Sequence, residues 1–273
     1  MTFFKILKRR FLRNLLDKHG RFRRALWNHI SNSPTYFTQN PTKVGIEISD
    51  GTDFLSLAIQ SRIDFFPNGI NSRLASLIGQ YCVGDLELSE APNIIDIGSN
   101  IGEFALFHSK KYPKSRILCI EPDPICFEVL LANKRSNMIP KQCAIWNLSA
   151  TLDFFLSSEE ADSSLLQMDA NARKIQVNAL PLDDLVADFF AANETFDLIK
   201  IEAEGAEPEI IQGALKTLTR TKWVTIDVGP ERGFAQENTL IPCLNQLMKI
   251  GFKPVQFNSK RYVLLFENSA SDY

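Results

Sequence analysis

The 273-residue sequence contains few of the residues from which metal centres and disulfide frameworks are built. It has three histidines and five cysteines, and no two cysteines stand in the C-x-x-C spacing of zinc and redox motifs. An odd number of scattered cysteines favours buried thiols in a reducing cytosol over a disulfide framework. The composition therefore argues against a zinc protein or a secreted disulfide protein, and it predicts a cytoplasmic location.

Long apolar runs are absent as well. Lys5, Lys8, Arg9 and Arg10 interrupt the first hydrophobic segment, which excludes the continuous apolar core of a signal peptide. No segment reaches the roughly 18–20 apolar residues that a membrane-spanning helix needs. We therefore expect any contact with a membrane to be peripheral, at its inner face.

Negative charge is scarce at the N-terminus. Residues 1–30 carry nine Lys and Arg but a single acid, whereas residues 31–273 carry 21 basic and 31 acidic residues, a balance of −10. An acidic body of this kind excludes a general nucleic-acid-binding protein. The basic charge of residues 1–30 needs a separate explanation.

Residues 3–16 have the spacing of a basic amphipathic helix. Phe4, Leu7, Phe11 and Leu15 fall on one helical stripe, with Lys and Arg on the opposite side. Two interpretations stay open. Residues 3–24 could contact a membrane surface or a lipid substrate, or the apolar stripe could pack on the main domain while the charges are solvated.

From Asn93 onward, short apolar segments alternate with helical ones. The predicted main strands are residues 93–97, 116–120, 141–145, 196–201 and 223–228, followed by an antiparallel pair at 252–257 and 262–266. Alternation of this kind predicts an α/β fold with a mostly parallel, doubly wound sheet and ligands beyond the carboxyl ends of its strands. We divide the chain into an N-terminal helical extension and cap (1–88), a main domain (89–267) and a disordered tail (268–273).

The glycine pattern of a dinucleotide site, G-x-G-x-x-G, is missing after the first predicted strand. The sequence there is Asp96-Ile-Gly-Ser-Asn-Ile-Gly102, with an acid before the turn and three positions between its two glycines. A carboxylate beside the turn would repel a pyrophosphate but complement an ammonium group and a sulfonium. Glu121, at the end of the second strand, suits a ribose diol. The pattern favours S-adenosylmethionine as the ligand.

Four motifs, taken in order, resemble those of FkbM-type methyltransferases, a branch of the class I S-adenosylmethionine-dependent enzymes. They are Asp96–Phe104, Glu121–Pro124, Leu182–Leu185 and Asp197–Pro208. The resemblance covers about residues 93–230 and implies a Rossmann-like class I methyltransferase fold with S-adenosylmethionine as methyl donor. The sequence departs from the family pattern at Glu202, where the family generally has Asp.

The resemblance also implies where the cofactor binds. Asp96, Gly98, Asn100 and Gly102 would hold its methionine end, and Glu121 its ribose. The chemistry of the glycines and the two acids agrees with these roles. Ala144 and Ile145 would lie near the adenine, a placement that rests on the resemblance alone.

The tip of the fourth strand carries the candidate catalytic residues Lys200, Glu202 and Glu204. Strand alternation places them on one side of the chain, and a carboxylate could remove the proton of an acceptor hydroxyl. The alternative is a structural ion pair between Lys200 and Glu204. A further alternative joins Glu202 to Asp227 as a divalent-metal site, although we predict no metal.

The resemblance therefore implies a methyltransferase that acts on a hydroxyl of a sugar or glycan, as in polysaccharide biosynthesis. A polyketide or other small-molecule acceptor is the alternative within the same class. A catalytically silent module that binds a partner is the alternative from a different class, but it would be expected to lack residues such as Asp96, Gly98 and Glu121, which are all present.

Overall fold

A computed structural model describes residues 38–43, 45–156, 163–167 and 172–269. The predicted basic helix at residues 3–16, together with the whole segment 3–24, lies outside the described residues. The same holds for residues 270–273 of the predicted tail. None of the helices in the described ranges combines the length and the apolar character needed to cross a bilayer.

Fifteen strands and seven α-helices make up the described chain. The strands are β1 (Thr38–Thr42), β2 (Gly45–Ser49), β3 (Phe54–Leu57), β4 (Asn93–Ile97), β5 (Arg116–Ile120), β6 (Met138–Lys141), β7 (Ala144–Ile145), β8 (Ala150–Leu156), β9 (Arg173–Leu180), β10 (Phe196–Ile201), β11 (Thr221–Asp227), β12 (Pro230–Arg232), β13 (Glu237–Asn238), β14 (Phe252–Asn258) and β15 (Val263–Asn268). The helices are α1 (Ile70–Gln80), α2 (Glu103–Lys111), α3 (Pro124–Asn133), α4 (Leu182–Val186), α5 (Glu207–Gln212), α6 (Leu215–Thr219) and α7 (Leu240–Lys249), with a 3₁₀ helix at Gln60–Phe65.

The central sheet has seven strands in the order β6-β5-β4-β10-β11-β15-β14. Strands β6, β5, β4, β10 and β11 are parallel, whereas β15 runs antiparallel to both β11 and β14. The predicted α/β class is thereby confirmed, including the mostly parallel sheet and its C-terminal antiparallel pair. This is the strand order of the Rossmann-like class I methyltransferase fold.

The two faces of the sheet pack into separate hydrophobic clusters, which explains the near-continuous apolar composition of its strands. On β4, Ile95 and Ile97 enter one cluster, while Ile94 enters the other. Asp96 alternates with these residues on the Ile94 side and is paired in register with Lys200 of β10. Two oppositely charged residues are thus placed side by side in a fully buried part of the sheet.

The third main strand lies earlier than predicted. Helix α3 ends at Asn133, so β6 begins at Met138, where the buried side chain enters the core, and Pro140 occupies an edge strand that tolerates the missing N–H. Ala144 and Ile145 form β7 of a separate small sheet with β8 and β9. The prediction of one strand at 141–145 is therefore wrong.

The helical segment between β10 and β11 consists of two helices, α5 and α6, separated at Gly213. A Cβ at Gly213 would lie 2.1 Å from the carbonyl oxygen of Trp146, so only glycine allows this close approach of the two segments. The break turns the chain from α5 into α6 against the β7 region.

The described part of the extension contains strands as well as a helix. β1, β2 and β3 form an antiparallel sheet, and the 3₁₀ helix and α1 follow it. Leu55 of β3 and Ile78 of α1 belong to the same hydrophobic cluster as Ile94 and Leu198 of the central sheet. The extension expected to be helical is thus, in these residues, partly β-structure that shares the core of the main domain.

The last strand also runs further than predicted. Asn268, assigned to a disordered tail, is 5% exposed at the end of β15 and donates hydrogen bonds to the carbonyl oxygens of Leu218 and Thr221, the latter at 3.0 Å. Ser269 N donates to Gly251 O at 3.1 Å. These bonds order the two residues that were predicted to begin the tail.

Candidate active site

A cavity of about 440 Å³ opens beyond the carboxyl ends of the parallel strands. One wall, which we call the cofactor wall, comprises the β4–α2 turn, the end of β5 and β7. The acceptor wall comprises the ends of β10 and β11 with the β12–β13 and β14–β15 hairpins. The 3₁₀ helix and α1 of the extension line its remaining side through Arg62, Arg73, Leu77 and Tyr81.

The β4–α2 turn depends on a glycine at Gly98. This residue has a φ of +73°, and a Cβ on it would lie 1.9 Å from the carbonyl oxygen of Glu202 at the tip of β10. The backbone N–H groups of Gly98 and Ser99 both donate to Ile120 O at 2.9 Å. The turn is therefore held against both neighbouring strands through contacts that leave no room for a side chain.

Glu121 lies on the cofactor wall with its carboxylate held by the backbone. Its Oε2 accepts from Asn100 N at 2.7 Å, and its Oε1 accepts from Asp123 N at 2.8 Å. Burial raises the pKa of Glu121 to about 7 against the lowering effect of these bonds. Each carboxylate oxygen keeps a second lone pair, so the group can still accept two hydrogen bonds from a ribose diol. The residue present fits the ribose of S-adenosylmethionine.

Ala144 and Ile145 line the cavity beside Cys126, Phe154 and Leu165. These side chains form an apolar patch, with the Ala144 and Ile145 residues each 3% exposed. A flat, apolar surface of this kind suits the face of a purine. The structure thus brings the two residues predicted for the adenine into the same cavity as Glu121.

Asp96 and Gly102 lie behind the cofactor wall and do not face the cavity. Asp96 is fully buried, does not line the cavity, and lies with its Oδ1 3.1 Å from Lys200 Nζ. A Cβ at Gly102, whose φ is +91°, would lie 2.7 Å from Leu130 Cδ1 of α3. Both residues support the turn from behind, while Gly98 and Asn100 face the cavity.

A charged network, which we call the Glu202 network, joins the two walls. It consists of Asp96, Lys200, Glu202, Tyr81, Asp227 and Arg261. Lys200 Nζ lies 3.0 Å from Glu202 Oε2 and donates to Gly98 O at 2.6 Å. The structure thus pairs Lys200 with Asp96 and Glu202.

Tyr81 and Arg261 complete the network around the Glu202 carboxylate. The Tyr81 hydroxyl donates to Glu202 Oε2, and Arg261 Nη2 donates to Glu202 Oε1 and to the Tyr81 oxygen, the latter at 3.0 Å. Burial would raise the pKa of Glu202, but Lys200, Arg261 and the hydrogen bonds lower it to about 2. Glu202 is therefore a fixed anion and a weak proton acceptor at neutral pH.

The position of Arg261 argues against a divalent-metal site at Glu202 and Asp227. Its guanidinium contacts both Glu202 and Asp227, with Nε 3.4 Å from Asp227 Oδ2, and so places a cation between the two proposed ligands. In the described part of the chain, no group of three or more His, Cys, Asp or Glu side chains is arranged to hold a metal ion. The geometry gives no support to a divalent cation at this pair.

Glu204 lines the cavity further along the acceptor wall. Its φ is +50°, an uncommon backbone conformation for a residue with a side chain, and its carbonyl oxygen accepts from Ser164 Oγ at 2.9 Å. Glu231 of the β12–β13 hairpin lines the same cavity. Glu231 is a cavity residue that sequence reasoning missed.

Sequence reasoning also missed Arg62, Tyr81 and Arg261. Arg62 Nη1 donates to Asn100 Oδ1 at 2.7 Å and so supports the cofactor turn from the extension. Arg261 had a usable signal: it lies in the hairpin between the last two predicted strands, and β14 runs parallel to β4, so this hairpin falls at the ligand edge. Arg62 and Tyr81 lie in a region without a regular sequence pattern, and nothing local marked them.

Comparison with known proteins gives a family. Residues 96–252 match the model of the Methyltransferase FkbM domain. This range contains the β4–α2 turn, Glu121 and the tip of β10, and it covers more than half of the chain.

Three curated relatives carry methyltransferase names. Methyltransferase sdnD of Sordaria araneosa is 28% identical over 49% of this chain and 64% of its own length. The 2-O-methyltransferase NoeI of Sinorhizobium fredii is 29% identical over 67% of this chain and 80% of its own length. The 31-O-demethyl-FK506 methyltransferase FkbM of Streptomyces tacrolimicus is 23% identical over 47% of this chain and 61% of its own length. The chain thus spans slightly less than two thirds of two of these relatives.

Among solved structures, the fibrillarin pre-rRNA processing protein of Methanococcus jannaschii aligns with 85% of this chain and 97% of its own, at 13% identity and a TM-score of 0.44. The family assignment rests on the sequence match over residues 96–252. That match shows that the chain belongs to the FkbM methyltransferase family.

Proposed function

We propose that this protein transfers a methyl group from S-adenosylmethionine to a hydroxyl group of a sugar or glycan. The observation that carries the proposal is the single cavity in which Glu121 and the β4–α2 turn face the carboxylates of β10, β11 and the β12–β13 hairpin. One end of that cavity suits a nucleoside. The other end offers several hydrogen-bond acceptors to a hydroxylated molecule.

The cofactor wall would hold S-adenosylmethionine through a few contacts. Glu121 would accept the ribose hydroxyls, Ala144 and Ile145 would cover the adenine, and Gly98 with Asn100 would meet the methionine end. When bound, S-adenosylmethionine supplies a methyl group that is already activated on a positively charged sulfur. The chain then has to align the acceptor oxygen, exclude water and accept a proton.

The Glu202 network would align the acceptor wall with the cofactor wall. Lys200 and Arg261 hold Glu202 ionised, and Lys200 also binds the carbonyl oxygen of Gly98 in the cofactor turn. The acceptor wall and the cofactor wall are thereby fixed relative to each other. Rigid placement of this kind lowers the entropic barrier of a displacement reaction.

A sugar acceptor is supported by the hydrogen-bonding groups of the acceptor wall, which include Glu204, Asp227, Glu231 and Lys260. The name of NoeI describes a 2-O-methyltransferase, which agrees with an oxygen acceptor. The name of FkbM describes methylation of 31-O-demethyl-FK506, which supports a polyketide or other small molecule as the second candidate.

Calorimetry with S-adenosylmethionine tests the proposal. The wild type should bind, and Glu121→Ala should weaken binding about 100-fold, because two hydrogen bonds to an ionised group are lost at about 1.5 kcal/mol each. Glu128→Ala, on the exposed side of α3, is the matched control and should bind as the wild type does. Failure of the wild type to bind would refute the proposal.

The acceptor class is tested by release of S-adenosylhomocysteine. Neutral sugars, lipid-linked saccharides and polyketide alcohols are offered in parallel to the wild type and to Glu121→Ala. Turnover with saccharides that disappears in the variant supports the sugar assignment. Turnover confined to polyketide alcohols would transfer the assignment to the second candidate.

The proposal extends to a cytoplasmic location with residues 3–24 in contact with the inner face of a membrane. It rests on the nine basic residues of positions 1–30 and their amphipathic spacing. Flotation with anionic liposomes should carry the full chain and leave a variant lacking residues 1–24 behind. Equal flotation of both would remove the membrane contact.

A further inference from the structure

The turn of the β14–β15 hairpin presents an exposed aromatic side chain at the cavity. Tyr262, the last residue before β15, lines the cavity and is 45% exposed in the described chain. Lys260 and Arg261, the two residues before it, line the cavity as well. Arg261 belongs to the Glu202 network, whereas Tyr262 does not. The ring of Tyr262 is therefore available to a ligand.

The backbone of Tyr262 adopts a conformation that is uncommon for an aromatic residue. Its φ is +58°, in the left-handed region that Gly and Asn tolerate and that a bulky side chain disfavours. The turn before it is regular, since Arg261 N donates to Asn258 O at 3.3 Å and Lys260 N donates to Asn258 Oδ1 at 3.1 Å. A tyrosine at a position that a smaller residue would occupy with less strain indicates a function for its side chain.

Two contacts fix Tyr262 beside the acceptor wall. Its carbonyl oxygen accepts from Val228 N at 3.0 Å, and Val228 directly follows β11. Its ring meets that of Phe257 on β14 edge to face, with ring centroids 6.4 Å apart and ring planes inclined at 67°. Phe257 does not line the cavity, so it supports the Tyr262 ring from outside.

Hydrogen-bond acceptors lie next to this ring. Val228, which binds the Tyr262 carbonyl, stands between the cavity residues Asp227 and Gly229. A Cβ at Gly229 would lie 3.3 Å from Asp227 Oδ1 and 3.1 Å from Glu231 Oε1, so both carboxyl groups flank this stretch of backbone. The part of the cavity beside Tyr262 thus combines an aromatic surface with carboxyl oxygens.

A pyranose ring has the complementary chemistry. It carries C–H groups on its faces and hydroxyl groups around its edge. The C–H groups pack on an aromatic ring, and the hydroxyl groups donate to carboxyl oxygens. An acyclic polyol offers the same hydroxyl groups but no rigid apolar face.

We propose that Tyr262 is a binding platform on which the pyranose ring of a saccharide acceptor stacks, with the hydroxyl groups of the sugar directed towards the carboxyl groups of the acceptor wall. This inference rests on the proposed function and narrows it to acceptors that have a ring face. Tyr262 would bind and orient the acceptor without taking part in bond formation. It lies outside the range 96–252 that matches the family model.

Saturation-transfer NMR on the full chain tests the platform without turnover. The probes are the methyl glycosides of glucose, galactose and mannose, with sorbitol as the acyclic control. Saturation of the aromatic protons of the wild type should reach the C–H protons of at least one glycoside and should not reach those of sorbitol. Tyr262→Asn should reduce this transfer about 10-fold, whereas Tyr262→Phe should keep it, because the ring alone makes the contact.

Two controls separate the loss of the ring from a loss of structure. Asn tolerates the left-handed backbone conformation, so Tyr262→Asn should unfold thermally at or near the temperature of the wild type. Phe54→Asn removes an aromatic side chain of β3 that is 67% exposed and lies outside the cavity. This variant should show the saturation transfer of the wild type.

Steady-state kinetics with the bound glycoside as acceptor gives a second measurement. Tyr262→Asn should raise KM for the glycoside about 10-fold and leave kcat within about threefold of the wild type, because a platform acts on the ground state and the transition state alike. Its affinity for S-adenosylmethionine, measured by calorimetry, should not change. A merely structural role of Tyr262 would also lower kcat or the affinity for S-adenosylmethionine.

Three results would overturn the platform: no saturation transfer from the wild type to any of the three glycosides, undiminished transfer in Tyr262→Asn, or an equal loss in Phe54→Asn. Failure of the wild type to bind S-adenosylmethionine would refute the proposed function instead. The NMR experiment needs no cofactor, so it still decides whether Tyr262 binds a sugar ring.

Discussion

The cofactor wall and the acceptor wall of the cavity are assembled in different ways. The cofactor wall draws its residues from positions 98–145 and is held largely by backbone hydrogen bonds, such as those of Asn100 and Asp123 to Glu121. The acceptor wall draws on residues as distant as Tyr81 and Arg261 and is held by side-chain ion pairs. The cofactor wall thus depends on local backbone geometry, whereas the acceptor wall depends on side-chain contacts between distant parts of the chain.

The largest expected effect comes from removing the cation that joins the two walls. Lys200→Met should lower the free energy of unfolding by about 3–5 kcal/mol, because Asp96 and Glu202 lose their buried partner. Urea unfolding followed by tryptophan fluorescence measures the loss. Lys253→Met, at an exposed position of β14, is the control. Equal free energies of unfolding for Lys200→Met and Lys253→Met would show that the two walls do not depend on the ion pairs of Lys200.

The next effect concerns the glycine at which the walls touch. Gly98→Ala should cost about 2–4 kcal/mol, the sum of backbone strain at φ +73° and the collision of its Cβ with the Glu202 carbonyl. Gly233→Ala separates the two terms, since Gly233 has a φ of +63° but open space around it. Urea unfolding should show the smaller cost at Gly233. A cost at Gly98 no larger than that would mean that the close approach is not tight.

The third prediction concerns the pH dependence that the carboxyl groups of the acceptor wall give to stability. Burial and the neighbouring Glu202 raise the pKa of Asp227 to about 7 from 3.8. Burial and the neighbouring Asp227 raise the pKa of Glu231 to about 8 from 4.5. The folded state thus binds more protons between about pH 4 and pH 8, and stability falls as pH rises through that window. Glu202, lowered to about 2, acts in the opposite sense: its contribution is present above pH 4.5 and is lost as pH falls towards 2.

Asp227→Asn should reduce the loss of stability between pH 5 and pH 8 by about 1–2 kcal/mol, because one raised pKa is removed. Thermal unfolding of the ligand-free protein at both pH values measures this difference, with the exposed Asp188→Asn as the control. If the stability of Asp227→Asn depended on pH as that of the wild type does, a group other than Asp227 would be responsible for the pH dependence.

The smallest effect concerns the support given by the extension. Arg62→Gln removes the hydrogen bond from Arg62 Nη1 to Asn100 Oδ1 and should weaken S-adenosylmethionine binding about fivefold, as expected for about 1 kcal/mol. Calorimetry compares it with Arg173→Gln, at an exposed end of β9. Unchanged affinity of Arg62→Gln for S-adenosylmethionine would show that the cofactor wall does not depend on the hydrogen bond from the extension.

Sequence reasoning placed the α/β fold, the strand at residues 93–97 and the turn at Gly98 correctly, because each depends on local apolar runs and a glycine. It misplaced the third strand, since the end of α3 at Asn133 is set by packing of Met138 in the core. It identified Glu202 and Glu204 as candidates, but it could not show that Lys200 and Arg261 hold Glu202 as an anion.

The sequence by itself determined the family, the order of the motifs and the β4–α2 turn, because these follow from short runs of residues along the chain. Only the tertiary structure decided the acceptor wall. Tyr81, Glu231 and Arg261 reach it from three separate elements, and burial and mutual charge give each carboxylate its own affinity for protons. Those affinities depend on distances between side chains, which no local pattern of residues encodes.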